Sequence, residues 1–201
     1  LLDTALAARE KRRGLVIKTA LATGAKQLYE RDATLPGEIA ERFKTARSSL
    51  VEEAGGAAFV QALVPPARLL IIGATHIAQL LCEIARIADY DLIVVDPRTA
   101  FAAADRFAGV RLETEWPQDA IPRIGLDPYT AVVALSHVGH IDDEALKLAL
   151  RSDCLYVGAL GSKRNHAKRC ERLTAAGFTP AELARIHCPI GLDIGAQSPA
   201  E

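Results

Sequence analysis

The sequence predicts a doubly wound α/β domain built on a parallel sheet, preceded by a small α+β unit. Three observations predict it. From Arg68 onward, short β-branched runs alternate with amphipathic stretches, the pattern of strands joined by crossover helices. Twice a strand-like run meets a glycine turn and then a helix start, at Gly73-Ala74-Thr75-His76-Ile77-Ala78 and at Tyr156-Val157-Gly158-Ala159-Leu160-Gly161-Ser162-Lys163-Arg164. Before Pro65-Pro66 the texture changes to shorter mixed segments, which marks the prolines as a linker.

Taken in order, residues 1–13 read as a helix, 14–20 and 25–31 as two strands, 36–53 as a helix and 57–63 as a third strand. A unit of that size buries little apolar surface alone and is expected to pack against the larger domain. The division is therefore 1–64 and 65–201. In the second part, strands are placed at 68–73, 92–96, 110–113, 131–136 and 154–158. Right-handed crossovers then give the order 3-2-1-4-5 over residues 68–160, with Gly73, Asp96, Ser136 and Gly158 at the carboxyl edge. Ile77, Leu80, Leu81, Ile84, Ala85 and Ala88 recur at helical spacing, and Leu146, Leu148, Ala149 and Leu150 make a second helical candidate. The latter follow Asp142, Asp143 and Glu144, which read as surface carboxylates matched to a helix dipole and not as a metal site.

Composition narrows the function classes. The chain has 201 residues, 24% of them charged, with a formal net charge of −1; this gives no electrostatic case for nucleic-acid binding or for disorder. Its apolar runs, such as 69–72 and 131–135, fall far short of the roughly 20 residues that span a bilayer. No signal-peptide pattern is evident. Cys82, Cys154, Cys170 and Cys188 form no Cys-x-x-Cys pair, which excludes zinc-ribbon and thioredoxin-type patterns and makes a reduced, cytoplasmic protein the expectation.

The opening of the helix after Gly161 carries the sharpest signal. Ser162 is a good N-cap, yet Lys163 and Arg164 fall in the first turn with His166, Lys168 and Arg169 behind. Cations at a helix N-terminus oppose its dipole, and a bound anion reverses the sign of that penalty. Gly161 and Ser162 with Lys163 and Arg164 thus form a candidate phosphate site; the plainer reading is a solvated basic face balanced by Glu171. Gly73 to Ala78 sits where a Rossmann-like dinucleotide fingerprint sits, but Thr75 replaces its second glycine. Thr75 either donates its hydroxyl to a phosphate or caps the helix that His76 begins. Asp96 lies 23 residues after Gly73, where an acid accepts ribose hydrogen bonds, and Arg98 adds a guanidinium suited to a phosphate or polar heterocycle. Alternatively, Asp96 caps a helix and pairs with Arg98. Ser136 and His137 leave the fourth strand on the other side of the switch point; no third ligand fixed by spacing accompanies His137 and His140, so no metal is inferred. In Pro189-Ile190-Gly191-Leu192-Asp193-Ile194-Gly195, Gly191 and Gly195 bracket Asp193. That segment reads as a rigid loop over the sheet edge, with Asp193 orienting a ligand or Lys163, or capping a turn.

Together, Gly73 to Ala78, Asp96-Pro97-Arg98, Ser136-His137, Tyr156 to Arg164 and Pro189 to Gly195 resemble the XdhC accessory family, over roughly residues 63–201. Residues 1–62 look like a shortened form of that family's amino-terminal domain. The resemblance implies a cytoplasmic maturation factor for xanthine dehydrogenase-type molybdenum hydroxylases. Such a factor binds the molybdenum cofactor, as molybdopterin or its cytosine dinucleotide, and protects it while a cysteine desulfurase installs its sulfido ligand. It then passes the cofactor to the apo hydroxylase, and a homodimer is compatible with this. On that reading, Thr75, Ser162, Lys163 and Arg164 hold the phosphate end, and Asp96, Arg98 and His137 address the pterin. Cys188, beside the glycine loop, is the first cysteine to test for sulfur relay, which spacing does not support. A competing reading is an NAD(P)-dependent oxidoreductase, which lacks a recognisable hydride-transfer constellation here. Another is an adaptor that touches no cofactor, which leaves the basic helix opening unexplained.

Overall fold

A computed structural model describes residues 1–31, 34–195 and 198; the remaining C-terminal residues of the expected second domain, 196, 197 and 199–201, lie outside it. The chain divides into two compact units, Leu1–Pro65 and Pro66–Glu201.

The first unit contains helix α1 (Leu2–Glu10), strands β1 (Leu15–Ala20) and β2 (Lys26–Glu30), helix α2 (Gly37–Thr45), and strands β3 (Ser49–Glu53) and β4 (Gly56–Leu63). The four strands form an antiparallel sheet in the order β2-β1-β4-β3. Ile39 and Phe43 of α2 pack with Val16 and Val60. The helix expected over 36–53 is corrected here: it ends at Thr45, where Ala46 turns left-handed at φ 56°. Residues 49–53 instead pair with β4, from Ser49 opposite Val60 to Glu53 opposite Gly56. Two signals conflict in that stretch. Its acidic and apolar spacing suits a helix, but Leu50-Val51 followed by Gly55-Gly56 suits a hairpin, and the open edge of β4 decides between them.

The second unit runs β5 (Arg68–Ile72), α3 (His76–Ile87), β6 (Asp91–Val95), β7 (Arg111–Glu113), α4 (Pro117–Ile124), β8 (Thr130–Ala134), α5 (Gly139–Leu150), β9 (Tyr156–Ala159), α6 (Lys163–Ala175), α7 (Pro180–Leu183) and β10 (Ile186–His187). All its strands pair in parallel, in the order β10-β9-β8-β5-β6-β7. The five expected strands stand in the expected 3-2-1-4-5 order, and β10 adds a sixth beyond β9. The domain is Rossmann-like. Leu70, Ile72, Val132 and Ala134 face α4, α5 and α6 in one buried cluster, while Leu69, Ile71, Val94 and Val133 pack on α3 in the other. Near-continuous burial along β5 and β8 is what a parallel sheet covered on both faces requires. The chain order reverses between β5 and β8, so their carboxyl ends frame the switch-point crevice.

Candidate functional site

At the switch point two strand ends come into backbone contact. Gly73 adopts φ +104°, and a Cβ placed there would lie 2.5 Å from Ser136 Cα and 2.6 Å from its nitrogen. Glycine is required on both counts. The following Thr75 accepts a hydrogen bond from Ala78 N at 3.3 Å and so caps α3, and His76, the first residue of that helix, is exposed.

Asp96 closes β6 with no exposed surface. Its Oδ2 accepts from Ala74 N at 2.7 Å and Arg98 Nη2 at 2.7 Å; its Oδ1 accepts from Arg98 N and Nε, both at 2.9 Å. Burial alone would raise its pKa, but the bonds from Arg98 and from the Ala74 backbone overcome this and hold it below the usual carboxylate value. A carboxylate has about four acceptor positions. All are spent inside the protein, so Asp96 fixes the Ala74 turn and Arg98 and offers nothing to a ribose. The guanidinium of Arg98 lies 4.4 Å from the centre of the half-exposed Phe101 ring.

Ser136 is likewise structural. Its backbone N and Oγ donate to Asp142 Oδ1 at 3.1 and 2.6 Å, and Val138 N donates to its Oγ at 3.0 Å. His137 beside it is exposed and left-handed at φ 60°. This geometry corrects the reading of Asp142 and Asp143 as surface carboxylates, because they are only 1% and 7% exposed. Glu144, by contrast, is half-exposed and bonds Lys147 at 2.6 Å.

The two buried acids hold the arginines of α6. Arg172 donates from Nε and Nη2 to Asp143 at 2.6 and 3.1 Å. Arg169, 6% exposed, lies 3.7 Å from Asp142 and 3.6 Å from Asp143, and its Nη2 donates to Leu160 O at 3.2 Å. Its buried Nε has no hydrogen-bond partner. Burial raises the pKa of Asp142 even against the hydrogen bonds of Ser136 and the charge of Arg169.

At the start of α6, Ser162 caps Asn165 N at 3.3 Å as expected, and Gly161 has φ +141°. Lys163 and Arg164 are exposed. Among the described residues, neither they nor Lys168 form a side-chain hydrogen bond or ion pair. A cavity of about 140 Å³ lies between the α5 and α6 openings, its lining including His137, Gly139, Asp142, Gly161, Lys168, Arg169 and Arg172. Lys163 and Arg164 lie outside it. Sequence reasoning passed over Lys168 and Arg172 as ligand groups, since nothing local separates a cavity-facing cation from a solvated one. It also missed Trp116, the N-cap of α4, whose ring sits 5.6 Å from that of His140.

The Pro189 to Gly195 loop folds back as anticipated: Ile190 N donates to Ala159 O at 3.1 Å. Its Ile190 side chain covers Gly158, where an added Cβ would lie 2.5 Å from Ile190 Cδ1. Gly158 therefore makes room for Ile190 and presents no open backbone to a ligand. Gly191 lines a separate hollow with Tyr156, His187 and Leu192, and Asp193 is exposed with no ion pair to Lys163 among the described residues. Cys188 Sγ donates to Gly161 O at 3.6 Å, Arg169 Nη1 lies 3.6 Å from that sulfur, and burial pushes the thiol's pKa up. Among the described residues there is no group of three or more potential metal ligands, and no helix is long and apolar enough to cross a membrane.

Comparison with known proteins gives this site its context. A family model described as the XdhC Rossmann domain matches residues 69–201. The chain is 28% identical over 144 residues to a probable xanthine dehydrogenase subunit of Bacillus subtilis, covering 71% of this chain and 42% of that protein. It is 29% identical over 128 residues to the molybdenum cofactor insertion chaperone PaoD of Escherichia coli, covering 64% and 34%. An uncharacterized Escherichia coli protein, YqeB, is 25% identical over 203 residues, covering 94% and 35%. The chain thus spans well under half the length of these relatives. A crystal structure described as a xanthine dehydrogenase from Bacillus halodurans superposes with a TM-score of 0.69 at 22% identity, covering all of this chain and 62% of that one, a likeness of fold.

Proposed function

The chain belongs to the XdhC family, and from that premise we propose that it binds the molybdenum cofactor and assists its sulfuration and insertion into a xanthine dehydrogenase-type hydroxylase. The observation that carries this reading is the cationic opening of α6 at the carboxyl edge of the sheet. Two helix N-termini border a small cavity there, with Lys168 on its wall and Lys163 and Arg164 exposed outside it. Such a site favours an anionic end group. Molybdopterin carries a phosphate, and its cytosine dinucleotide form a diphosphate, so the donor set fits the cofactor's charged end. Lys163 and Arg164, exposed on the approach, add attraction that salt screens. Arg98, beside the crevice and stacked on Phe101, addresses the flat polar pterin together with His137, while Gly73, Thr75, Asp96 and Ser136 hold the turns that shape the crevice.

In this scheme the chain acts as carrier and the recipient enzyme supplies the redox chemistry. A cysteine desulfurase supplies the sulfur directly, because Cys188 is a partly buried thiol held to a backbone carbonyl and the thiolate is the reactive form. Insertion into the apo hydroxylase is the partner step that the relatives' names support.

The test is reconstitution. Protein isolated without denaturation and examined by native mass spectrometry should carry a pterin. Adding it with cofactor and desulfurase to apo hydroxylase should raise hydroxylase activity above that of cofactor and desulfurase alone. Absence of both effects would sink the reading.

A further inference from the structure

We infer that His137 hydrogen-bonds the pterin directly, and that Ser136 and Asp142 are its positioning residues, holding the turn after β8 in the strained form that presents it. This rests on the molybdenum-cofactor reading above and deepens it. Among the described residues, four that are not glycine adopt positive φ: Arg12 at 50°, Ala46 at 56°, Asp89 at 61° and His137 at 60°. The first three stand just past the ends of α1, α2 and α3, where a left-handed residue commonly closes a helix. His137 closes no helix. It follows β8 at the switch point, where open α/β sheets take their ligands.

The neighbouring strand ends show that the histidine is not needed for turning. After β5 and β9 the chain turns through Gly73 at φ +104° and Gly161 at φ +141°, where a missing Cβ removes the penalty. After β8 the left-handed position carries a side chain and incurs it. A buried network holds that conformation. Asp142, 1% exposed, accepts from the backbone N and Oγ of Ser136 at 3.1 and 2.6 Å, and Val138 N donates to the same Oγ at 3.0 Å. Both neighbours of His137 are thereby fixed, and Gly73 closes on Ser136 from the adjacent strand. The imidazole itself is exposed and, among the described residues, forms no hydrogen bond or ion pair. Strained backbone that its surroundings over-determine, with the side chain left free, marks a functional contact; a residue serving the turn alone would be better as glycine. Neutral imidazole offers one donor and one acceptor, which suit the polar edge of a pterin.

The test sets stability against binding. Urea midpoints are followed by the fluorescence of Trp116, the only tryptophan in the chain. Binding is measured with molybdenum cofactor released from a purified hydroxylase, the retained fraction being read as its oxidised, fluorescent pterin. His137→Gly relieves the turn, so its urea midpoint should be no lower than the parent's while cofactor binding falls at least tenfold. His137→Asn keeps a donor and an acceptor on a residue that tolerates the left-handed region, and should recover at least a third of the parent's affinity. Ser136→Ala should weaken binding about threefold in the parent and add nothing in the His137→Gly background, because a positioning residue acts only through the residue it positions. A destabilised His137→Gly, or one that binds cofactor as the parent does, would overturn the inference. So would an Asn variant no better than Gly, or a Ser136→Ala loss of equal size in both backgrounds. The two levels separate cleanly: a parent that retains no cofactor removes the cofactor reading as well, whereas binding indifferent to His137→Gly removes the histidine's role alone.

Discussion

Gly73→Ala tests whether the switch point depends on backbone contact between two strand ends. A residue with a side chain held at positive φ costs roughly 1–2 kcal/mol. At φ +104° the added Cβ would also stand 2.5 Å from Ser136 Cα and 2.6 Å from its nitrogen, atoms that move only if the carboxyl ends of β5 and β8 part. Overpacking of that kind adds roughly 1–3 kcal/mol, for a total of about 2–5 kcal/mol. The corresponding fall in Tm is roughly 4–20 °C for a chain of this size. Gly177→Ala is the control, because Gly177 has φ +89° and nothing within 4 Å of an added Cβ. It carries the conformational cost without the overlap. Urea unfolding followed by Trp116 fluorescence reports the second unit, where both glycines lie. Gly73→Ala should lose at least about 1 kcal/mol more than Gly177→Ala. Equal losses would show that the contact with Ser136 relaxes freely and that Gly73 serves only its turn.

Other outcomes follow from the buried groups. Asp142 has a raised pKa because it is buried, so its contribution to stability is whole below the ordinary 3.8 and is lost as pH rises through the folded value. Asp142→Asn keeps an acceptor for Ser136 and removes that loss, so the variant's stability relative to the parent should climb above pH 3.8; a pH-independent difference in urea midpoints would contradict this. Asp96 works in the opposite sense: its depressed pKa supplies stability above 3.8 that disappears as pH falls through the folded value. Burial pushes Cys82 up to about 11 and raises Cys188 as well, so brief iodoacetamide treatment at neutral pH should leave both unlabelled by peptide mass spectrometry. Cys188→Ser should still support hydroxylase activation, and loss of activation with cofactor binding intact would restore a sulfur-relay role. With Asp96 occupied internally, the isolated chain should show no steady hydride transfer from xanthine, aldehydes or simple alcohols to NAD or NADP, and measurable turnover would favour the oxidoreductase reading.

The sheet was legible because its information is local and repetitive. Each buried strand of the second unit is a short apolar run, and chirality then leaves few orders for the strands to adopt. Carboxyl-edge placement of Gly73, Asp96 and Ser136 came from the same rule. What could not be read were outcomes of long-range competition. Residues 49–53 have helix-compatible spacing but are drawn into pairing with β4. Asp142 and Asp143 resemble any acidic first turn until arginines 27 and 29 residues away fold onto them.

That second failure bears directly on function. Read locally, α6 is a run of cations, Lys163, Arg164, Lys168, Arg169 and Arg172, in which no member is distinguished and the first turn draws the eye. In the folded unit the run separates into two groups. Arg169 and Arg172 are committed to buried acids and brace α6 against α5, whereas Lys163, Arg164 and Lys168 remain without partners among the described residues. Of these three, only Lys168 borders the cavity. The unfavourable charge at the helix opening is therefore smaller than the sequence suggests, and the uncompensated part lies one turn deeper.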